Sequence, residues 1–115
     1  MDNSGIGGID RELIDKIIET ILRRKSVEKI VIFGSRASGD HGRTSDIDIA
    51  VFAEKWSRTD FALTKDDLEE TVLTPLKFDL VDYHDLAEGS LKNNILAKGK
   101  VIYDKRTDQA ALRGL

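Results

Sequence analysis

The amino-acid sequence predicts a small mixed β-sheet flanked by helices, an α/β (α+β) fold in a single domain. The chain has 115 residues, of which 40% are hydrophobic, and this length is typical of one compact domain with one core. Short β-branched segments, typical of strands, alternate with segments whose apolar residues recur at helical spacing. The connections between them vary in length, which favours a mixed sheet over a fully parallel one.

The first helix is predicted over residues 10–24, after an N-terminal arm, residues 1–8, that has three glycines and no periodic pattern. Asp10 stands where an N-cap is expected. The apolar residues that repeat at the spacing of one helical face are Leu13, Ile14, Ile17, Ile18, Ile21 and Leu22. The folded domain is therefore predicted to start at residue 9.

Two strands are predicted next, over residues 29–33 and 46–52. The first is β-branched and stops at Gly34, which is typical of a buried strand. The second alternates strictly, so its residues divide between two faces. One face carries Ile47, Ile49 and Val51, and the other carries Asp46, Asp48, Ala50 and Phe52. The face that carries the acids ends in two apolar residues, Ala50 and Phe52. This face is therefore predicted to be covered by other parts of the chain beyond Asp48.

The second half of the chain is predicted to add one longer helix and three shorter elements. The longer helix is expected to begin near Thr64, because Thr64 and Asp67 resemble a capping box, and to end before Pro75. The remaining elements are a strand over residues 77–82, a short helix that ends at Gly99, an edge strand over residues 101–103 and a polar tail over residues 104–115. The folded domain is thus predicted to span residues 9–103.

Composition argues against several classes of protein. The longest apolar run is five residues, 49–53, far short of the roughly 18 needed to span a membrane. The first residues lack the segments of a secretory signal and the chain has no cysteine, so we expect a cytoplasmic location. With 18 basic against 21 acidic residues the net charge is -3, which argues against direct binding of nucleic acid.

Asp46 and Asp48 form a pair of carboxylates suited to a metal ion. Two positions apart in a strand, they leave the same face with Cα atoms about 6.5 Å apart. Oxygen ligands at that spacing suit Mg²⁺, which commonly bridges to substrate phosphates. Alternating acids can also be merely the solvated face of a strand. The apolar residues that follow on this face instead favour a pair of carboxylates positioned to bind a ligand.

Gly34 and Ser35 lie where the first strand ends in a turn, a place where backbone N–H groups and a hydroxyl can bind phosphate. Arg36 can add a bidentate phosphate contact. Each feature alone also fits an ordinary turn or a solvated arginine. Because these residues occur together with the two aspartates, a phosphate-binding role is favoured.

Together these residues form one pattern, Gly34-Ser35, ten intervening residues, then Asp46-Ile47-Asp48. The pattern resembles the signature of the DNA polymerase β-like nucleotidyltransferase superfamily, especially its minimal nucleotidyltransferase (MNT) members. The preceding strand, Arg36 and Gly39 within the pattern, and the apolar residues after it also match the family. The resemblance extends from the first helix to Tyr103, and it implies the palm-like nucleotidyltransferase fold.

The resemblance also implies the chemistry. Family members transfer a nucleoside monophosphate from a nucleoside triphosphate, here most simply ATP, to a hydroxyl, and pyrophosphate leaves. Asp46 and Asp48 would bridge two Mg²⁺ ions about 3.5 to 4 Å apart. Asp79 would complete the ion nearer the acceptor and help to take its proton. Gly34, Ser35 and Arg36 would hold the phosphates.

The family uses a third carboxylate from a later strand. In this chain that strand offers two candidates, Asp79 and Asp82. The segment Phe78-Asp79-Leu80-Val81 fits the family's apolar-Asp-Leu-Val pattern. Asp82, three residues further along a strand, must face the other way. The resemblance therefore implies Asp79.

The family also implies a partner. The MNT proteins that this chain resembles are commonly antitoxins paired with helical HEPN-domain toxins, and some adenylylate a tyrosine of the toxin. Since a domain this small leaves no second domain to hold an acceptor, we expect the acceptor on a HEPN-type partner, in a homo- or hetero-oligomer.

A second hypothesis is a non-catalytic nucleotide-binding antitoxin or regulatory subunit that acts by protein–protein binding, although the intact motif acids argue against it. A third is a metal-dependent phosphohydrolase or nuclease that uses the same acids.

Three further side chains are of types that take part in chemistry or ligand binding, those of His41, His84 and Trp56. The chain has two histidines, His41 and His84, and neither has a sequence neighbour at the spacing of a zinc site. His84 is therefore interpreted as a loop residue. Trp56 has two interpretations, stacking on a nucleobase or the commoner role of covering the edge of the core.

Overall fold

The structure of the protein, a computed structural model, describes residues 8–34, 37, 46–72, 74 and 76–107. Its elements in chain order are α1 (Arg11–Arg24), β1 (Lys29–Phe33), β2 (Ile47–Phe52), α2 (Arg58–Thr71), β3 (Phe78–Asp82), a 3₁₀ helix (Tyr83–Asp85), α3 (Ser90–Lys98) and β4 (Lys100–Asp104). The strands form one sheet in the order β3-β2-β1-β4. β2 and β4 both pair antiparallel with β1, whereas β3 pairs parallel with β2. The predicted mixed sheet is confirmed.

Two hydrophobic clusters cover the two faces of this sheet. On one side, called here the α1 face, α1 and α2 pack against alternate strand residues, among them Ile32, Ile49 and Phe78. On the other side, called the acid face because it carries Asp48, a smaller cluster consists of Val31, Phe33, Ala50, Phe52, Tyr83 and Ile95. The acid face is therefore covered beyond Asp48, as the alternation of β2 predicts.

The first helix matches its prediction. Its N-cap is Asp10, whose carboxylate accepts the backbone N–H of Leu13 at 2.9 Å. Ile14, Ile17 and Ile21 of this helix are buried. A helix dipole favours an acid at this end and bases at the other, and the last turn indeed carries Arg23 and Arg24.

The predicted start of the second long helix was wrong. α2 begins at Arg58, well before Thr64, and its N-cap is Ser57. The Ser57 hydroxyl accepts the N–H of Asp60 at 3.2 Å, while the Asp60 carboxylate accepts the N–H of Ser57 at 2.8 Å. Thr64 lies in mid-helix and is fully buried. Ser57 with Asp60 has the same spacing as Thr64 with Asp67, so the capping motif alone could not distinguish the two starts.

Asp60 also joins α2 to the end of α1. Its carboxylate accepts a hydrogen bond from the Lys25 ammonium at 3.0 Å, just after α1 ends. Trp56 lies nearby, buried against Phe61 with a ring separation of 5.0 Å, and its indole N–H donates to the carbonyl of Ser26. Trp56 therefore covers the edge of the core, and the nucleobase-stacking interpretation is wrong.

The last strand and the short helix before it also match their predictions. α3 ends at Lys98 with Gly99 as its C-cap, and β4 forms an edge of the sheet. β4 extends one residue beyond the predicted strand at each end, to Lys100 and to Asp104, which pairs with Lys29. Within the described part of the chain, the helices are too short or too polar to cross a membrane.

The cap at Ser57 provides a test of this helix assignment. We expect Ser57→Ala to lower the free energy of unfolding by about 1 kcal/mol, because the N–H of Asp60 loses its acceptor. Urea denaturation followed by circular dichroism measures the change. Ser26→Ala, which removes an exposed hydroxyl outside the cap, should change stability by less than about 0.5 kcal/mol. Equal effects of the two substitutions would contradict the assigned cap.

Candidate active site

The three aspartates singled out in the sequence lie together at one end of the sheet. In the strand register, Asp48 of β2 is opposite Phe33 of β1 on one side and Asp79 of β3 on the other. Asp46 directly precedes β2. Opposed residues of neighbouring strands share a face, and so do residues two apart in one strand. Asp48 and Asp79 therefore belong to the acid face, and the charge of Asp46, directly before β2, also acts on Asp48. Asp48 is partly buried, and the other two aspartates are exposed.

Gly34 ends β1 directly beside Asp48. Its φ of +75° lies in the left-handed region, which side-chain-bearing residues rarely adopt. A Cβ at this position would collide with Oδ2 of Asp48 and would lie 3.3 Å from its Cγ. The Gly34 carbonyl accepts the N–H of Ala37 at 3.1 Å, so the chain turns at once. Glycine is required here both by the turn and by the approach of the Asp48 carboxylate.

Like charges surround the central carboxylate. Burial raises the pKa of Asp48 above its ordinary value, and the negative charges of Asp79 and Asp46 raise that pKa further. Three acids converge where one of them is partly desolvated, which disfavours the ionised form of Asp48. The arrangement therefore favours a ligand that brings positive charge.

Asp82, the rejected candidate for the third carboxylate, has a structural role. It pairs with Val51 in the register of β2 and β3, and so belongs to the α1 face, as its spacing from Asp79 predicts. Its carboxylate accepts the backbone N–H of His84 at 3.1 Å and caps the 3₁₀ helix. The predicted phosphate-binding residues Ser35 and Arg36 lie outside the described residues.

Comparison with known families identifies this arrangement. The family model described as "Polymerase beta, Nucleotidyltransferase" matches residues 15–108. The chain belongs to this nucleotidyltransferase family. A comparison with curated protein sequences finds no match.

Solved structures show the same nucleotidyltransferase fold. A toxin–antitoxin crystal structure with AMP-PNP is 27% identical, with a TM-score of 0.69 over 85% of this chain and 78% of that one. A structure described as a minimal nucleotidyltransferase is 27% identical, with a TM-score of 0.62 over 78% of this chain and 89% of that one. A complex of the tri-AMPylated Shewanella oneidensis HEPN toxin with its MNT antitoxin is 23% identical, with a TM-score of 0.65 over 88% and 77% of the two chains. At that identity the last likeness shows the fold alone.

The carboxylates of this nucleotidyltransferase domain fit a divalent cation. Nucleotidyltransferases of this fold usually use divalent metals. Carboxylate oxygens are the protein ligands that Mg²⁺ prefers, and a cation beside Asp48 would offset the repulsion that raises its pKa. The donor set and the electrostatics therefore agree with such a cofactor.

A second group of polar side chains was not predicted from the sequence. Glu28, Glu54 and His84 converge at the opposite end of the sheet, where β1 begins and where β2 and β3 end. The three residues are far apart in the chain. The sequence shows only that each of them lies near the end of a predicted strand. No short motif connects them. The interpretation of His84 as a loop residue therefore did not include its contact with the two glutamates.

The contact between Gly34 and Asp48 can be measured as a coupling. We expect Gly34→Ala to lower the free energy of unfolding by more than about 1 kcal/mol, since it combines an unfavourable backbone conformation with a collision. In an Asp48→Ala background the collision disappears, so the penalty should fall by about 1 kcal/mol. Gly89→Ala is the control, because a Cβ there meets no atom within 4 Å. Its penalty should be the same in both backgrounds, and an unchanged Gly34 penalty would contradict the contact.

The raised pKa of Asp48 predicts a dependence of stability on pH. The folded chain binds this proton more tightly than the unfolded chain, so stability falls as the pH rises from the ordinary pKa through the raised one. With divalent metal chelated, Asp48→Asn should be more stable than the wild type at about pH 7, by up to about 1 kcal/mol. The difference should shrink as the pH falls towards 4. Denaturant unfolding at both pH values tests this, with Asp66→Asn as an exposed control on α2. A less stable Asp48→Asn at neutral pH would refute it.

Proposed function

We propose that this domain is a metal-dependent nucleotidyltransferase that moves a nucleoside monophosphate, most simply AMP from ATP, to a hydroxyl of a HEPN-type partner protein. The observation that carries the proposal is the position of Asp48 between Gly34, which directly follows β1, and Asp79 of β3, with Asp46 two residues before it. The family match supports nucleotidyl transfer as the reaction class.

The strand order supports a binding mode in which the two reactants lie on different sides of Asp48. Gly34, at the end of β1, lies on one side. We infer that the residues next in the sequence, Ser35 and Arg36, hold the phosphates. Asp79 lies on the other side, on β3, which is the outer strand of the sheet. Its exposed carboxylate is open to an acceptor hydroxyl approaching from outside. We therefore infer that the triphosphate binds towards β1 and the acceptor binds towards β3.

The aspartates have distinct tasks in this proposal. Asp46, Asp48 and Asp79 would hold the divalent cations, and Asp79 would also help to take the proton of the acceptor hydroxyl. Two bound Mg²⁺ ions would supply the positive charge that stabilises the attacking and leaving oxygens. The partial burial of Asp48 strengthens its electrostatic interactions with such charges.

Structural neighbours support the choice of nucleotide and partner. The toxin–antitoxin structure at 27% identity was determined with AMP-PNP, an analogue of ATP. In the Shewanella oneidensis complex the HEPN toxin is tri-AMPylated, which is a property of that pair. We infer a similar pairing here, in which this chain is the antitoxin and the acceptor is a hydroxyl of its toxin.

A transfer assay tests the proposal. The full chain is incubated with Mg²⁺, each of the four α-labelled nucleoside triphosphates and a candidate HEPN-type partner protein. We expect label from ATP on the partner and release of pyrophosphate, and we expect Asp48→Asn and Asp79→Asn to lower the rate by about a hundredfold or more. Asp82→Asn is the matched control, because Asp82 lies on the same strand but on the other face. Its transfer rate should stay close to that of the wild type.

Other outcomes separate the alternative functions. Binding of ATP and Mg²⁺ without transfer to any acceptor would favour a non-catalytic antitoxin. Hydrolysis of nucleic acid or of phosphate esters without an acceptor would favour a phosphohydrolase or nuclease. Transfer that survives Asp48→Asn would refute the assigned site.

A further inference from the structure

Three side chains from separate segments meet at the end of the sheet opposite the aspartates. Glu28 directly precedes β1, Glu54 follows β2, and His84 follows β3. Each offers one ligand atom, and these atoms all lie within 4.8 Å of one another. At about 3.3 Å per strand residue, this group is roughly 15 to 20 Å from Asp48. It is therefore separate from the candidate active site.

The imidazole of this group is held in a defined orientation. Its ring packs edge-on against Phe52 and Tyr83, with centroid separations of 5.9 Å and 5.8 Å. The backbone N–H of His84 donates to the Asp82 carboxylate, which holds the 3₁₀ turn. Nε2 consequently lies 3.2 Å from Oε1 of Glu28. Packing and capping, rather than the two acids, aim this nitrogen at the cluster.

The backbone of Glu28 is held as firmly. Its N–H donates to the carbonyl of Phe52 at 2.7 Å, and its carbonyl accepts the N–H of Lys105 at 2.9 Å. These bonds attach Glu28 to β2 on one side and to the segment after β4 on the other. A ligand group on ordered backbone loses less entropy when it binds than one on a free loop.

We propose that Glu28, Glu54 and His84 form a second divalent-metal site, selective for a borderline transition metal such as Zn²⁺ rather than for Mg²⁺. One imidazole nitrogen with two carboxylate oxygens is a donor set that Zn²⁺ accepts, whereas Mg²⁺ prefers oxygen alone. The metal takes the place of the proton between Nε2 and Glu28, and the imidazole keeps its other proton on Nδ1. Three protein ligands leave one tetrahedral position for water or a partner side chain.

The charges around the group set the limits of its affinity. Lys55 and Lys105 line a depression of about 200 Å³ together with Glu28 and Glu54. Their ammonium groups compete with a cation for the carboxylates, and the ligands are exposed, so the site is of moderate strength. Bound metal would tie together the start of β1 and the ends of β2 and β3. This inference does not depend on the proposed transfer reaction.

Nuclear magnetic resonance tests metal contact directly, because the chain has two histidines. In a ¹⁵N-labelled His41→Gln protein, His84 is the single imidazole. Zn²⁺ added to the full chain in excess Mg²⁺, which occupies the oxygen-only ligands of the aspartate end, should shift the Nε2 resonance of His84 and saturate at one equivalent. Unmoved ring resonances would overturn the proposal.

Affinity measurements test the ligand set. In competition with a chromophoric chelator, His84→Ala and Glu54→Gln should each weaken Zn²⁺ binding by about tenfold or more. In excess Mg²⁺, which occupies the aspartate end, Zn²⁺ should raise the thermal midpoint of the wild type and not that of His84→Ala. Glu88→Gln, at an exposed glutamate paired with Lys92, is the control and should bind Zn²⁺ as the wild type does. Full affinity in both Glu54→Gln and His84→Ala would overturn the assignment.

Discussion

The pairing of β2 along both of its edges is the constraint on which the rest of the structure depends. Its antiparallel register with β1 and its parallel register with β3 bring Asp48 between Phe33 and Asp79. A slip of one residue would move every side chain of β2 to the other face. Ile47, Ile49 and Val51 are fully buried on the α1 face, so such a slip would bury the acids and expose the core. The hydrophobic core on one side of the sheet thereby holds the carboxylates in place on the other.

The aspartate end of the sheet is a local cost that the core has to offset. Gly34 adopts a positive φ beside a carboxylate, and Asp48 is partly buried among like charges. The burial of Asp48 among like charges opposes the stability of the chain without a cation. Unfavourable arrangements of this kind persist where the surrounding structure determines them strongly, and they cluster at functional sites. These features support the interpretation that the aspartate end is the functional site and that the core on the α1 face stabilises it.

The elements of the fold were predictable wherever the signal was local. Helix α1 was predicted with its cap, and the mixed sheet and the edge strand β4 were predicted as well, because periodicity and capping depend on neighbouring residues. The start of α2 was missed because two Ser/Thr-x-x-Asp patterns compete there. Only the burial of Thr64 and the cap geometry at Ser57 distinguish them. The role of Trp56 likewise depended on packing against Phe61, which lies on the next helix.

The sequence by itself predicted the pair Asp46 and Asp48, since residues two apart in a predicted strand share a face. It also determined that Gly34 ends a strand and that the strand face with the acids turns apolar. Only the tertiary structure decided that the Asp48 carboxylate is the neighbour that requires glycine at 34, and that Asp79 stands directly opposite Asp48. The convergence of Glu28, Glu54 and His84 was decided there too. These juxtapositions depend on strand order and register, which come from pairings between distant segments and are not encoded in any local spacing.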